Sequence, residues 1–112
     1  MIIYNFISNK KSLNLNDITS FIEGKFFGIK LNTFIPNPFP SQNQIIEVHG
    51  SIGIINNNGS LTIQIIFFED KDNWREKTIT QNGITITYTK GVYSNIPTQS
   101  ELHQILEKAG YL

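Results

Sequence analysis

The sequence predicts an α+β fold in which a single, mainly antiparallel sheet of five to six strands packs against an N-terminal helix and a C-terminal helix. Three observations predict this fold. They are apolar runs typical of strands, Asn-Gly turns between neighbouring runs, and helical spacing of apolar residues in two segments. A length of 112 residues is typical of one domain. We therefore expect a single domain, with one core, over residues 1–112.

The first part of the chain predicts a strand followed by a helix. Residues 2–7 are rich in β-branched and aromatic side chains, which favour a short, buried strand. A helix is expected next, with Asn14 or Asn16 as N-cap and Gly28 as the stop. Its apolar residues recur every three or four positions: Leu15, Ile18, Ile22 and Phe26.

A second strand and a proline-rich connector are expected after this helix. Residues 29–35 have the composition of a strand. The prolines within residues 36–40 end it, because proline cannot donate a ladder hydrogen bond and keeps its predecessor extended. The connector then extends to about residue 43.

The segments 45–55 and 61–68 predict a long central hairpin with Asn58-Gly59 at its tip. Asn-Gly is the preferred pair for a type I′ turn, because both positions need positive φ. This tip sets Ile54 opposite Ile63, Ile52 opposite Ile65 and Gly50 opposite Phe67 on the core face. The outer face is expected to carry Ile55 with Thr62, Gly53 with Gln64, Ser51 with Ile66, His49 with Phe68, and Glu47 with Asp70.

A second hairpin and a final helix complete the predicted fold. Asn82-Gly83 as the turn sets Ile79 opposite Ile86 and Lys77 opposite Tyr88, with threonines facing each other on the other side. Thr98 and Glu101 fit a capping box at the start of the helix. Its apolar stripe is expected to pack on the sheet and consists of Leu102, Ile105, Leu106 and Ala109.

Composition and charge exclude several classes of function. Nine Lys plus Arg balance nine Asp plus Glu, so the basic surface expected of a nucleic-acid-binding protein is missing. The chain has no cysteine, which excludes disulfides and thiolate metal sites and favours the cytoplasm. The first residues do not fit a signal peptide, and no apolar run is long enough for a membrane span. We expect neither nucleic acid nor a membrane as partner.

Two groups of polar residues have the composition of a catalytic or metal site. Glu47, His49 and Ser51 alternate along one strand, but residues two apart lie about 6.5–7 Å apart, too far for a catalytic triad without leaning side chains. An oxygen-rich turn follows the central hairpin, yet Trp74 occupies a position where a calcium loop needs a ligand. We therefore expect no catalytic residue, no cofactor and no metal.

The mixed outer face of the central hairpin is the expected functional surface, because exposed apolar patches commonly mark interaction sites. The alternative, that the first helix or the 36–43 loop covers this face, stays open. The hypothesis is a small intracellular protein-binding module without catalytic activity, most specifically a bacterial immunity or inhibitor protein that neutralises a toxin or enzyme. The pattern indicates no oligomeric state. The candidate partner-binding residues are His49, Ser51, Gln64, Ile66, Phe68, Asp70, Asp72 and Trp74.

Two alternatives stay open. The element order is loosely similar to helix-grip and cystatin-like α+β folds, which would place a small-molecule-binding cup between sheet and helices; this likeness concerns fold alone. The weaker alternative is a hydrolase that uses His49. Aromatic residues that could line such a cup are Phe26, Phe27, Phe34, Phe39, Trp74, Tyr88 and Tyr93.

Overall fold

The computed structural model describes residues 1–33 and 41–112, and the α+β class with two helices is confirmed there. The first helix ends earlier than expected, at Lys25, and residues 34–35 of the expected second strand lie outside the described residues, as does the proline segment 36–40. The elements in chain order are β1 (Ile2–Ser8), α1 (Leu15–Lys25), β2 (Leu31–Asn32), β3 (Gln44–Val48), β4 (Gly50–Asn57), β5 (Ser60–Phe67), β6 (Lys77–Gln81), β7 (Ile84–Lys90) and α2 (Gln99–Lys108).

The described strands form two mixed sheets, so the expectation of one mainly antiparallel sheet is wrong. Sheet A has the order β1-β5-β4-β2, with β2 parallel to β4. Sheet B has the order β3-β7-β6, with β3 parallel to β7. Glu47 consequently pairs with Thr89 rather than lying opposite Asp70.

The expected strand 45–55 is divided between the two sheets at His49. A Cβ atom at Gly50 would lie 2.0 Å from the backbone oxygen of Ile66, so only glycine permits this close approach. Before this point the chain belongs to sheet B, and after it to sheet A. The bend lets sheet B fold against apolar side chains at the base of sheet A.

Both hairpin registers were predicted correctly. Every pair expected within β4 and β5 is present, as are the four expected between β6 and β7. Asn58 and Asn82 adopt φ of 54° and 52°, and the glycines that follow also have positive φ, as a type I′ turn requires. Local turn chemistry therefore decides both registers.

The fold has three layers, in which both helices pack on one face of sheet A and sheet B packs on part of the other face. Asn14 caps α1 by accepting a hydrogen bond from the Asp17 N–H, and Thr98 and Glu101 form the expected capping box of α2. The helix-side core consists of Phe6, Ile18, Ile22, Ile29, Leu31, Ile52, Ile63, Ile65, Phe67, Leu102 and Leu106. The core between the sheets consists of Val48, Phe68, Ile86 and Tyr88.

Candidate functional site

The face of sheet A opposite the helices is covered by sheet B at one end and exposed at the other. Cross-strand partners lie on the same face, so the register places three rows of side chains there. Ile66 lies where the covered part begins and packs against the core between the sheets. We term the exposed part the open face, which consists of Ile3, Asn5, Ile7, Ile55, Thr62 and Gln64.

The open face combines exposed isoleucines with a polar centre. Ile7 is 78% exposed, Ile3 50% and Ile55 45%. Between them, the side-chain amide of Gln64 donates to the Asn5 Oδ1 over 3.1 Å. None of the six side chains carries a charge. The result is a neutral and partly apolar surface on one side of sheet A.

The expected functional surface at the base of the hairpin is largely covered. Phe68 is 1% exposed and His49 is 9% exposed. Trp74 stacks on Phe68 with ring centroids 4.9 Å apart, and Ile66 packs beside them. The alternative that this face is covered within the fold applies to Phe68 and His49, and sheet B, rather than the first helix, covers the apolar base of the hairpin.

The other candidate residues lie in separate places. Gln64 belongs to the open face. Ser51 is partly exposed and lies opposite Ile66, where the covered part of sheet A begins. Asp70 is exposed, whereas the side chain of Asp72 is only 6% exposed within a turn. The eight candidates therefore do not form one continuous surface.

His49 is held at the junction of the two sheets by hydrogen bonds on four sides. Its N–H donates to the Lys30 carbonyl over 2.8 Å, and its carbonyl accepts from the Phe68 N–H over 2.9 Å. The ring Nδ1 accepts from the Lys30 N–H over 2.9 Å, and Nε2 lies 3.2 Å from the Glu47 Oε1. Because Nδ1 accepts a hydrogen bond, Nε2 is the ring nitrogen placed to donate to Glu47.

The contact between Glu47 and His49 corrects the spacing argument from sequence. The two side chains meet because the strand bends at His49 instead of continuing straight. Gly91 allows this, since a Cβ atom there would lie 2.6 Å from the Glu47 Cγ. Tyr93 packs edge-on against the His49 ring. Both ring nitrogens already have partners, so the arrangement supports a structural role for His49.

The oxygen-rich turn after β5 binds the amino group of Met1. The Met1 nitrogen lies 2.5 Å from both the Glu69 Oε2 and the Asp72 Oδ1. Asp72 also accepts from the Glu69 N–H over 2.7 Å, which closes the turn. An ammonium group thus occupies the place where a cation was considered. Among the described residues, no group of three or more His, Cys, Asp or Glu side chains could hold a metal ion.

The pKa values of this turn follow from the same contacts. Hydrogen bonds from the Met1 ammonium lower the pKa of both Glu69 and Asp72 below the ordinary carboxyl range. The backbone hydrogen bond from Glu69 lowers the pKa of Asp72 further. Conversely, Asp72 and then Glu69 raise the pKa of the amino group.

The described surface includes two shallow depressions. One of about 310 Å³ lies between the helices and is lined by Phe21, Lys25, Ile105, Lys108 and Ala109. The other, of about 390 Å³, borders the acidic turn and includes Glu69, Val92 and Tyr93.

The aromatic residues expected around a cup do not share a cavity. Tyr88 and Trp74 belong to the core between the sheets, Phe26 and Tyr93 pack on the helix-side core, and Phe27 is 98% exposed. Phe34 and Phe39 lie outside the described residues.

Comparison with protein-family models, curated proteins and solved structures found no match to this chain. None of the helices within residues 1–33 and 41–112 is long and apolar enough to cross a membrane. The geometry of the chain itself is therefore the basis for a functional proposal.

The sequence reasoning missed most of the open face. Residues 2–7 were expected to be buried, yet Ile3 and Ile7 are among the most exposed isoleucines described. A signal was present in the strand, because Asn5 stands between these two residues on the same side. A polar residue at that position indicates a face in contact with water.

Proposed function

We propose that this chain is a protein-binding module without catalytic activity, and that it binds its partner through the open face. The observation that carries the proposal is an uncharged sheet surface on which Ile3, Ile7 and Ile55 are 45–78% exposed. Exposing apolar side chains in a contiguous patch is unfavourable unless a partner removes them from water.

The shape and charge of the open face favour protein over other partners. Small-molecule sites are concave, whereas this surface is one side of a sheet. Phosphate backbones require clustered lysine and arginine, and the open face contains neither. A second protein with a flat, partly apolar surface is the partner class that fits both features.

The specific form of the proposal is a bacterial immunity or inhibitor protein that acts in the cytoplasm. Its support is compositional: a chain of 112 residues without cysteine. Richness in Ile, Asn and Lys is compatible with an AT-rich bacterial genome. Such a protein would neutralise a toxin or enzyme by covering a functional surface of that partner.

The test compares partner capture by wild type and two lysine variants in extract from the native host. Ile55→Lys places a charge on the open face, while Ile45→Lys places the same charge on an exposed isoleucine of β3 in sheet B. We expect a stoichiometric protein that wild type and Ile45→Lys retain and Ile55→Lys loses. Equal capture by all three folded proteins, or no protein captured by any, would contradict the proposal.

A further inference from the structure

The outer edge of β1 has no strand partner in the part of the chain that the structure describes. β1 is the terminal strand of sheet A, and none of its backbone groups bonds to a loop within residues 1–33 and 41–112. Natural edge strands are commonly protected by charged residues, proline or bulges. The seven residues Ile2–Ser8 include no charge and no proline, and they pair with β5 without a bulge. Such an edge is a template for another strand.

The register identifies which backbone groups are free at this edge. In a two-residue hairpin the flanking residues Asn57 and Ser60 form a hydrogen-bonded pair, so alternate residues of β5 bond to β4. The intervening residues of β5 bond to Ile2, Tyr4, Phe6 and Ser8 of β1. The N–H and C=O groups of the other three residues therefore point outward: Ile3, Asn5 and Ile7.

The sequence of β1 is a chemical palindrome about Asn5. The residues from position 3 to position 7 are Ile, Tyr, Asn, Phe and Ile. If two such strands pair antiparallel with a two-fold axis at Asn5, Ile3 meets Ile7, Tyr4 meets Phe6 and Asn5 meets itself. Each side chain of this segment then faces one of similar chemistry, so the strand is complementary to a second copy of itself, as the surfaces of an isologous interface are.

We propose that the occupant of this edge is a second copy of the chain, paired β1 to β1 about Asn5. The outward groups on Ile3, Asn5 and Ile7 match this register, and they would form about six hydrogen bonds, two for each pair. The dimer joins two copies of sheet A into one continuous eight-stranded sheet. This inference goes beyond the proposed function and does not depend on it.

The charges at the two ends of β1 complement each other in this register. Met1 of one copy lies opposite Asn9 of the other, so Lys10 follows at the Met1 end. That end carries the exposed Asp70, next to Glu69 and Asp72, which are paired with the Met1 amino group. Two-fold symmetry repeats this opposite-sign contact at both ends. A parallel arrangement would instead bring the two acidic turns together.

The first test measures the mass of the purified full chain by sedimentation equilibrium over a concentration series. We expect wild type to approach twice the 12.8 kDa chain mass as concentration rises. Asn5→Lys places like charges opposite each other at the two-fold axis and should raise the dimer dissociation constant about fivefold or more. Thr78→Lys is the control, since it puts the same charge on β6, an exposed edge strand of sheet B.

The second test traps the register by oxidation. Hydrogen-bonded partners in an antiparallel pair have Cα atoms about 5.5 Å apart, a distance that a disulfide spans. The natural chain has no cysteine, so Asn5→Cys introduces a single thiol. Oxidation should link Asn5→Cys into a covalent dimer, and the same-strand control Ile3→Cys should link far less, because position 3 faces position 7 of the partner.

Three results would overturn the proposal. They are a wild-type mass of one chain at every concentration, a dimer that Asn5→Lys does not weaken, and equal cross-linking of Asn5→Cys and Ile3→Cys. Circular dichroism of each variant verifies folding, and if Asn5→Lys fails to fold, the cysteine pair decides alone. Because only the purified chain is used, failure here is distinguishable from failure to capture a partner protein.

Discussion

Lys30 and His49 exchange two hydrogen bonds at the point where the chain passes from sheet B to sheet A. The Lys30 N–H donates to the His49 Nδ1 over 2.9 Å, and the His49 N–H donates to the Lys30 carbonyl over 2.8 Å. The segment before β2 is thereby joined to the bend between β3 and β4. This relationship assigns His49 to the architecture of the protein.

Replacing His49 should destabilise the fold. His49→Ala removes the acceptor for the Lys30 N–H and the ring that packs on Tyr93, and we expect a loss of about 2 kcal/mol in the free energy of unfolding. His103→Ala, at an exposed position on α2, should change it by less than about 0.5 kcal/mol. Urea denaturation measures both. Equal stability of the two variants would show that the junction bonds contribute little.

Replacement by alanine should lower the stability of the protein at one glycine of β4 and leave it unchanged at another. Gly50→Ala forces a Cβ atom against the backbone oxygen of Ile66, which cannot move without disturbing sheet A, and should cost more than about 3 kcal/mol. A Cβ atom at Gly53 meets nothing within 4 Å, so Gly53→Ala should be neutral within about 1 kcal/mol. Thermal unfolding of both variants checks this. A stable Gly50→Ala protein would contradict the bend described at His49.

The acidic turn should make stability depend on pH at both extremes. Because the pKa values of Glu69 and Asp72 are lowered in the fold, their contribution is present above their unfolded values and is lost as pH falls below about 4. Because the pKa of the Met1 amino group is raised, its contribution is complete below the unfolded value and is lost as pH rises above about 8.

The variant Asp72→Asn tests this pH dependence against Asp70→Asn. Asp72→Asn should flatten both limbs of a plot of unfolding temperature against pH, since it removes the strongest partner of the Met1 amino group. Asp70→Asn, at an exposed neighbouring position, should leave both limbs in place. High salt should reduce the wild-type dependence, because Met1 and the Glu69 side chain are partly exposed. Superimposable curves for wild type and Asp72→Asn would exclude the proposed cause.

A new carboxylate should unfold the protein when it is placed in the core between the sheets, but not when it is placed on the open face. Phe68→Asp inserts an unpaired carboxylate where the side chain is 1% exposed, and we expect loss of the folded state. Ile55→Asp introduces the same group on the open face and should leave the protein folded, with less than about 1 kcal/mol lost. Near-UV circular dichroism distinguishes these outcomes. A folded Phe68→Asp protein would contradict the burial of Phe68 between the two sheets.

The sequence predicted those parts of the fold that local chemistry decides. Asn58 and Asn82, each followed by glycine, select turns whose geometry leaves one register for each hairpin. Thr98 and Glu101 likewise mark the start of α2 within a few residues. In each case the interacting residues are close in the sequence, so the local sequence is sufficient to predict the turn or the helix start.

The division into two sheets could not be read in the same way. β3 pairs in parallel with β7, and Gln44 lies opposite Ile86 without any local signal that joins them. Which end of the hairpin is covered depends on this distant pairing. The candidate surface was therefore placed around Phe68, whereas the exposed apolar residues lie on the open face at Ile3, Ile7 and Ile55.

Binding at the open face is tested most directly by the affinity of the captured partner for three proteins, measured by isothermal titration calorimetry. Wild type and Ile45→Lys should bind with dissociation constants within about twofold of each other, because Ile45 lies on sheet B. Ile55→Lys should bind at least about tenfold more weakly, a loss of about 1.4 kcal/mol. Binding of Ile55→Lys as tight as that of wild type would contradict the assignment of the open face as the partner site.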